Sequence, residues 1–201
     1  MICVKTFILS LLLLTPLSAA LAAPESYTVL TGNKAPNAVI VELKTVAENF
    51  TGRTSSLNGT VMFDSQTNTG SGSIAINGAS IVTGIAKRDE HMRGPDWLNF
   101  NENPEVKFVV TAVKHLAGNL YQVGGNLTLN GVTKAINAKA TVRHTPANGT
   151  TRALGAKGDV LGVITKFSIK LSDFGVKNTS ANGGRVNDNA ALTVKFIASN
   201  K

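Results

Sequence analysis

Apolar and polar residues alternate along most of this chain in short runs, and most runs end in Gly, Asn or Pro. Tyr27 to Leu30 and Ala38 to Val46 read as the first two strands, with Gly32-Asn33-Lys34-Ala35-Pro36-Asn37 as turn material between them. Glu48 to Arg53 reads as a bend toward a third strand, Gly59 to Asp64, with Val61 and Phe63 on one face. Thr67 to Gly72 reads as a turn, and Ser73 to Asn77 alternates with Ile74 and Ile76 together. Such alternation suits a half-buried strand, because successive side chains point to opposite faces.

Later runs are longer. Val106, Phe108, Val110 and Ala112 form one apolar face. Tyr121, Val123, Leu127 and Leu129 form the next, and the Gly124-Gly125 interruption predicts a bulge or sharp bend. Asn130-Gly131 is the strongest hairpin signal in the chain, since a type I′ turn needs positive φ at both positions. Val132, Ile136, Ala138, Ala140 and Val142 follow, then a Gly-, Asn- and Thr-rich loop from Thr145 to Gly158. Leu161, Val163, Phe167, Ile169 and Leu171 continue the pattern, and Ala190, Leu192, Val194 and Phe196 close it.

One segment breaks this rhythm. Ala86 to Met92 has no Gly, Pro or β-branched residue, which predicts a helix of about two turns, with Thr83 as its cap and Gly94-Pro95 as its stop. About eight or nine strands against one short helix argue for an all-β chain. The tight turns favour an antiparallel meander closed into a barrel, or failing that a sandwich. An eight-stranded barrel is just wide enough inside for one small ligand, and these inward faces are oily. Lys107, Lys139 and Lys195 on outward faces, without aromatic girdles, exclude an outer-membrane barrel.

Residues 1–22 read differently: Lys5, an apolar run from Phe7 to Leu14, and Ala20-Leu21-Ala22 have the pattern of a signal peptide cleaved after Ala22. The run falls short of the about 20 residues a membrane helix needs. The single cysteine, Cys3, would leave with it, so residues 23–201 form one cysteine-free, exported domain. Those residues carry 19 basic and 12 acidic side chains, a net charge of +7. The basic residues are scattered and few aromatics interleave them, which argues against nucleic-acid binding. His91, His115 and His144 lack ligand spacing, and no G-x-S-x-G or phosphate loop is present, so neither a metal site, a cofactor site nor catalysis is expected.

The densest chemistry is Lys87, Arg88, Asp89, Glu90, His91 and Arg93, followed by Trp97-Leu98, Asn103-Pro104 and Val106-Lys107-Phe108. This stretch resembles the hallmark segment of the YceI-like family of exported bacterial proteins. Gly125-Asn126-Leu127-Thr128-Leu129-Asn130-Gly131-Val132-Thr133-Lys134 resembles that family's G-x-L-T-x-x-G-V-T-[KR] hairpin, and Leu171-Ser172-Asp173-Phe174-Gly175-Val176 its third signature. The family's opening W-x-x-D-x-x-H-S pattern is missing, since Tyr27 to Val39 holds no Trp, Asp or His. The resemblance implies an eight-stranded, lipocalin-like barrel whose apolar cavity holds a polyisoprenoid or isoprenoid-quinone lipid. It also implies a periplasmic or secreted location and no metal.

The candidate ligand-binding residues follow from both readings. Arg88, Asp89, His91 and Arg93 either line a pocket mouth and grip a quinone carbonyl or pyrophosphate, or an Asp89–Arg pair fixes the helix over one barrel end. Trp97 caps the cavity or anchors a lid. Phe63, Phe108, Phe167 and Phe196, with Tyr121, fall on inward faces, where they touch a ligand in a hollow barrel and form the core of a filled one. A filled barrel would suit an envelope stress or interaction protein with a charged docking patch. A homodimer through an edge or through the helix fits either reading.

Overall fold

A computed structural model describes residues 23–201; the expected signal segment lies outside them. Ten strands form one antiparallel sheet: β1 (Glu25–Val29), β2 (Ala38–Lys44), β3 (Asn49–Thr54), β4 (Leu57–Asp64), β5 (Thr69–Asn77), β6 (Glu105–Ala117), β7 (Leu120–Leu129), β8 (Val132–Thr145), β9 (Val160–Lys170) and β10 (Asn189–Ser199). Their order is β1-β4-β5-β6-β7-β8-β9-β10-β2-β3, and β1 also pairs with β10, which closes the ring. Both β1 and β2 lie against the same edge of β10, at Thr28 opposite Ser199 and Ala38 opposite Lys195. Strands β3 and β4 run on from one another in the same way along β2 and β1. The ten segments therefore make an eight-stranded up-and-down barrel in which two staves are broken.

The interior follows the alternation. Leu127 and Leu129, Leu161 and Ile169, and Ala190, Val194 and Phe196 are buried, while Lys139, Lys166 and Lys170 between them are exposed. Asn130 and Gly131 have φ of 51° and 71°, as the type I′ hairpin requires.

Four local expectations need correction. Residues 49–54 are not a bend but strand β3, pairing with β2 from Lys44–Asn49 to Val39–Thr54. Its inward positions are Phe50, Gly52 and Thr54, so only one large apolar side chain marks the strand. Gly52 has no side chain because Ile81 lies over it: a Cβ there would sit 2.9 Å from Ile81 Cγ2. Gly70 to Gly72 belong to β5 rather than to a turn, and a Cβ on Gly72 (φ 132°) would collide with the β4 backbone at Thr60.

The expected bulge is real but sits across from the glycine pair. Val110 pairs with Gly125 and Ala112 with Gly124, so β6 holds an extra residue here, Thr111, and a second, Leu116, near its end, while β7 stays regular against β8. The first of these reverses the inside–outside parity of β6. Ala112, expected inside, is exposed, and Val113 takes its place in the core cluster.

Helix α1 (Ala86–Arg93) forms where expected and ends at Gly94. Its N-cap position is Ile85, without a side-chain cap. The expected cap, Thr83, instead donates from N and Oγ1 to the Asp89 carboxylate, at 2.8 and 2.6 Å. The 145–158 loop contains a second short helix, α2 (Gly149–Ala153), closed by a capping box between Asn148 and Thr151.

Candidate functional site

The connections between neighbouring staves alternate between the two ends of the barrel. The β2–β3 turn, the whole 78–104 segment with α1, the Asn130-Gly131 turn and the 171–188 loop share one end. The β4–β5, β6–β7 and β8–β9 connections share the other. All three resemblance-bearing segments therefore meet at the first end. Asn130 Nδ2 donates to the Phe174 carbonyl at 3.0 Å, and Asn178 Nδ2 to the Asp96 carbonyl at 3.1 Å. Asp188, at the start of β10, accepts from Ser172 N and Oγ at 2.8 and 2.7 Å. The segments are far apart in sequence because they are three pieces of one end-cap.

Beneath that cap the barrel is hollow. A cavity of about 660 Å³ runs through the interior. Its walls are aliphatic and aromatic: Val123, Leu127 and Ile136 on one side, Phe167, Leu192 and Phe196 on another, with small Ala138 and Ala140 leaving room between them. Thr165 is a polar side chain at mid-height, and it is already satisfied, since its Oγ1 donates to the Lys139 carbonyl at 2.9 Å. At the far end Phe63 lines the cavity and packs edge-on to Tyr121, with ring centroids 5.8 Å apart. Tyr121 lies behind it, buried, with its hydroxyl donating to Asn68 Oδ1 at 2.7 Å; burial pushes its phenol above the usual range.

Among the described residues, the ionisable side chains that line the cavity are Glu48, Lys87, Arg88 and His91, and all lie at the capped end. Glu48, Lys87, His91 and the apolar Ile85 are also exposed, so the cavity meets solvent there. Arg88 is tied down: Nη1 donates to Glu48 Oε1 at 2.7 Å, Nε donates to Thr83 Oγ1 at 2.9 Å, and its guanidinium lies 4.3 Å from the Phe50 ring centre. It fastens α1 to the β2–β3 hairpin. Lys87 and His91 make no ion pair among the described residues and are the nitrogen-bearing side chains free to meet a polar head group.

The candidate residues thus divide. Phe63, Arg88, His91, Trp97, Phe108, Phe167 and Phe196 all line the cavity. Asp89 and Tyr121 do not; both are buried and spend their polar atoms on the protein. Arg93 is half-buried and is not among the lining side chains. The expected Asp89–Arg pair does not form: Asp89 pairs with Thr83, and Arg88 with Glu48. Sequence reasoning missed Phe50, Ile85, Phe100 and Val186, which also line the cavity. Phe50 sat on an unrecognised strand, and the other three lie outside strands, where period two carries no signal.

Fold and cavity together define a lipocalin-type barrel, an antiparallel eight-stranded closure around an apolar interior. Its residues 27–198 match the model of the YceI-like domain, and the chain belongs to that family. A UPF0312 protein of Serratia proteamaculans is 40% identical over 106 residues, 51% of this chain and 50% of the relative. One of Shewanella denitrificans is 35% identical over 127 residues, 63% of each. The chain thus spans about half to three-fifths of the length of these curated relatives. Among solved structures, Burkholderia cenocepacia BcnA superposes with a TM-score of 0.68 at 23% identity, covering 80% of this chain and 95% of its own. A polyisoprenoid binding domain from Saccharophagus degradans superposes at 0.63 and 16% identity, covering 87% and 98%.

Proposed function

We propose that this protein is a non-enzymatic, exported carrier or store for an isoprenoid lipid, a polyisoprenoid or an isoprenoid quinone, held chain-first in the barrel. The observation that carries the reading is the hollow, apolar interior of about 660 Å³ with its ionisable groups confined to the mouth. Affinity would come from burying the chain, at roughly 25 cal/mol per Å² of apolar surface. Lys87 and His91 would orient a carbonyl or pyrophosphate head at the rim. The structural likeness to a domain described as polyisoprenoid binding supports the choice of ligand class. An enzyme would need converging titratable groups beside the buried chain. Here His115 bonds the Gly118 carbonyl and His144 pairs with Asp159, neither of them facing the cavity. The periplasmic or secreted location belongs to the same proposal, resting on the leader-like residues 1–22.

The test is mass spectrometry of a solvent extract from folded protein purified from a bacterial periplasm. A polyprenyl or quinone species at one per barrel supports the reading and identifies the ligand. An extract that stays empty after incubation with candidate quinones overturns it in favour of an interaction protein.

A further inference from the structure

The mouth of the cavity carries features that lipid retention alone does not call for. Val46, at the tip of the β2–β3 hairpin, is 90% exposed, and Ile85, at the start of α1, is 51% exposed although it lines the cavity. The Arg88–Glu48 pair holds these two elements side by side. Scattered exposed apolar residues are ordinary on any surface. An apolar side chain on a hairpin tip, beside a second that continues into an oily cavity, forms an apolar lip. The exposed Leu116 and Leu120 lie at the opposite end, and neither lines the cavity.

Cations flank that lip. Lys44 precedes the hairpin turn, and Lys87 follows Ile85 on α1. Arg185 adjoins Val186, which bridges to Thr45, and the Lys44 carbonyl accepts from Asn187 N at 2.7 Å. Lys44, Lys87 and Arg185 are exposed and form no ion pair among the described residues. The acids next to these cations along the chain are the exposed Glu42 and Glu90, and Glu48, the last already matched by Arg88. Beside the lip, the unpaired cations Lys44, Lys87 and Arg185 therefore outnumber the unpaired acids Glu42 and Glu90, whereas the exposed Asp96, Glu102 and Asp173 belong to other stretches of the same end.

We propose that this rim docks onto an anionic phospholipid bilayer. Val46 and Ile85 insert at the headgroup–acyl boundary, and Lys44, Lys87 and Arg185 meet phosphate groups. Exposed apolar residues ringed by cations are what interfacial binding uses, with the charges supplying attraction to anionic lipid. Docked so, the mouth faces the membrane, and an apolar chain passes between bilayer and barrel without crossing water. The inference goes beyond the carrier reading and is tested without cargo.

The experiment is co-sedimentation of the purified protein with phosphatidylethanolamine–phosphatidylglycerol vesicles, set against phosphatidylcholine vesicles. Wild type sediments with the anionic vesicles at low ionic strength and is released by about 0.5 M salt, where charges are screened beyond a few Å. The Val46→Asp/Ile85→Asp and Lys44→Glu/Lys87→Glu pairs each lose at least about tenfold in vesicle affinity, as two displaced interfacial cations or two lost apolar anchors imply. Leu116→Asp/Leu120→Asp, at the far end, binds as wild type does. Thermal melting checks that each variant folds, and the exposed Val46→Asp alone serves if the double substitution does not. Absent vesicle binding by wild type, undiminished binding by the rim variants, or binding only to vesicles bearing membrane proteins overturns the proposal. Vesicle binding with an empty solvent extract would sink the carrier reading alone; a loaded extract without vesicle binding would sink this one alone.

Discussion

Asp89 illustrates how a residue that looks like binding chemistry can belong to the frame. It is 6% exposed, and its carboxylate receives the backbone N–H and hydroxyl of Thr83 across the first turn of α1. Asp89→Ala strands that half-buried amide and is expected to cost about 1–3 kcal/mol, read as a lower urea midpoint; Asp89→Asn keeps an acceptor and costs about 1 kcal/mol or less. Equal midpoints for wild type and Asp89→Ala would remove the structural role. Asp188 does similar work on the third segment of the cap. Burial works to raise its carboxyl, but hydrogen bonds from the Ser172 hydroxyl and amide, with Lys170 nearby, outweigh it and hold the group below the usual carboxylate range. Its folded value lies below the unfolded one of about 3.9. The stability it contributes is therefore fully present above that value and is lost as pH falls through the lower, folded one. Melting temperature measured from about pH 5 to pH 2 should fall more steeply for wild type than for Asp188→Asn, and parallel curves would refute the assignment.

Strand β6 shows how one residue re-aims an element. With Thr111 extra, Phe108 stays inward, Val113 replaces Ala112 inside, and the Phe108 ring lies over Gly125. A Cβ on Gly125 would collide with that ring and with the Val109 carbonyl. Gly125→Ala is expected to destabilise by about 1–3 kcal/mol, an overpacking cost measurable by chemical denaturation, and unchanged stability would contradict the close approach. The sequence announced an irregularity at the glycine pair, because glycine marks close backbone approach, but not which strand carried the extra residue. Strand β3 escaped notice for a related reason: two of its three inward positions are Gly52 and Thr54, too small or polar to display a period of two. Long strands with Leu, Val and Phe at every second position were legible because nothing inside competed with hydrophobic alternation. Between elements, the Glu48 side of the pair is exposed but the Arg88 side chain is largely buried on Phe50 and also bonds Thr83, so Arg88→Ala should cost about 1–2 kcal/mol in stability. It should still release bound lipid faster, since it frees α1 from the hairpin. An unchanged release rate, followed by lipid transfer to acceptor vesicles, would show that α1 is held by other contacts.

At the scale of the whole barrel, the question the sequence left open was whether inward aromatics fill the interior or surround a void. Alternation reports which face a residue takes, not how far apart opposite walls stand; strand number and closure set that distance. The mouth was partly legible as a dense charged segment. The assembly of three distant segments over one end was visible only as a family pattern, because no local rule pairs Asn130 with Phe174 or Asn178 with Asp96. The hollow interior makes an opposite prediction from a filled one. Ala138 and Ala140 face it from β8 at successive inward positions. A ring placed in an empty space needs no neighbour to move, and a benzene-sized group occupies about 150 Å³ or less, well within the void. Ala138→Phe/Ala140→Phe should therefore keep the melting temperature or raise it, cavity-filling changes commonly adding about 0.5–2 kcal/mol. It should also exclude the lipid chain, leaving the solvent extract empty. In a barrel packed with its own side chains the same pair would overpack, costing about 1–3 kcal/mol at each site and lowering the melting temperature by several degrees. A folded, stabilised and ligand-free double variant separates loss of space from loss of fold, which charged substitutions of the wall phenylalanines cannot do.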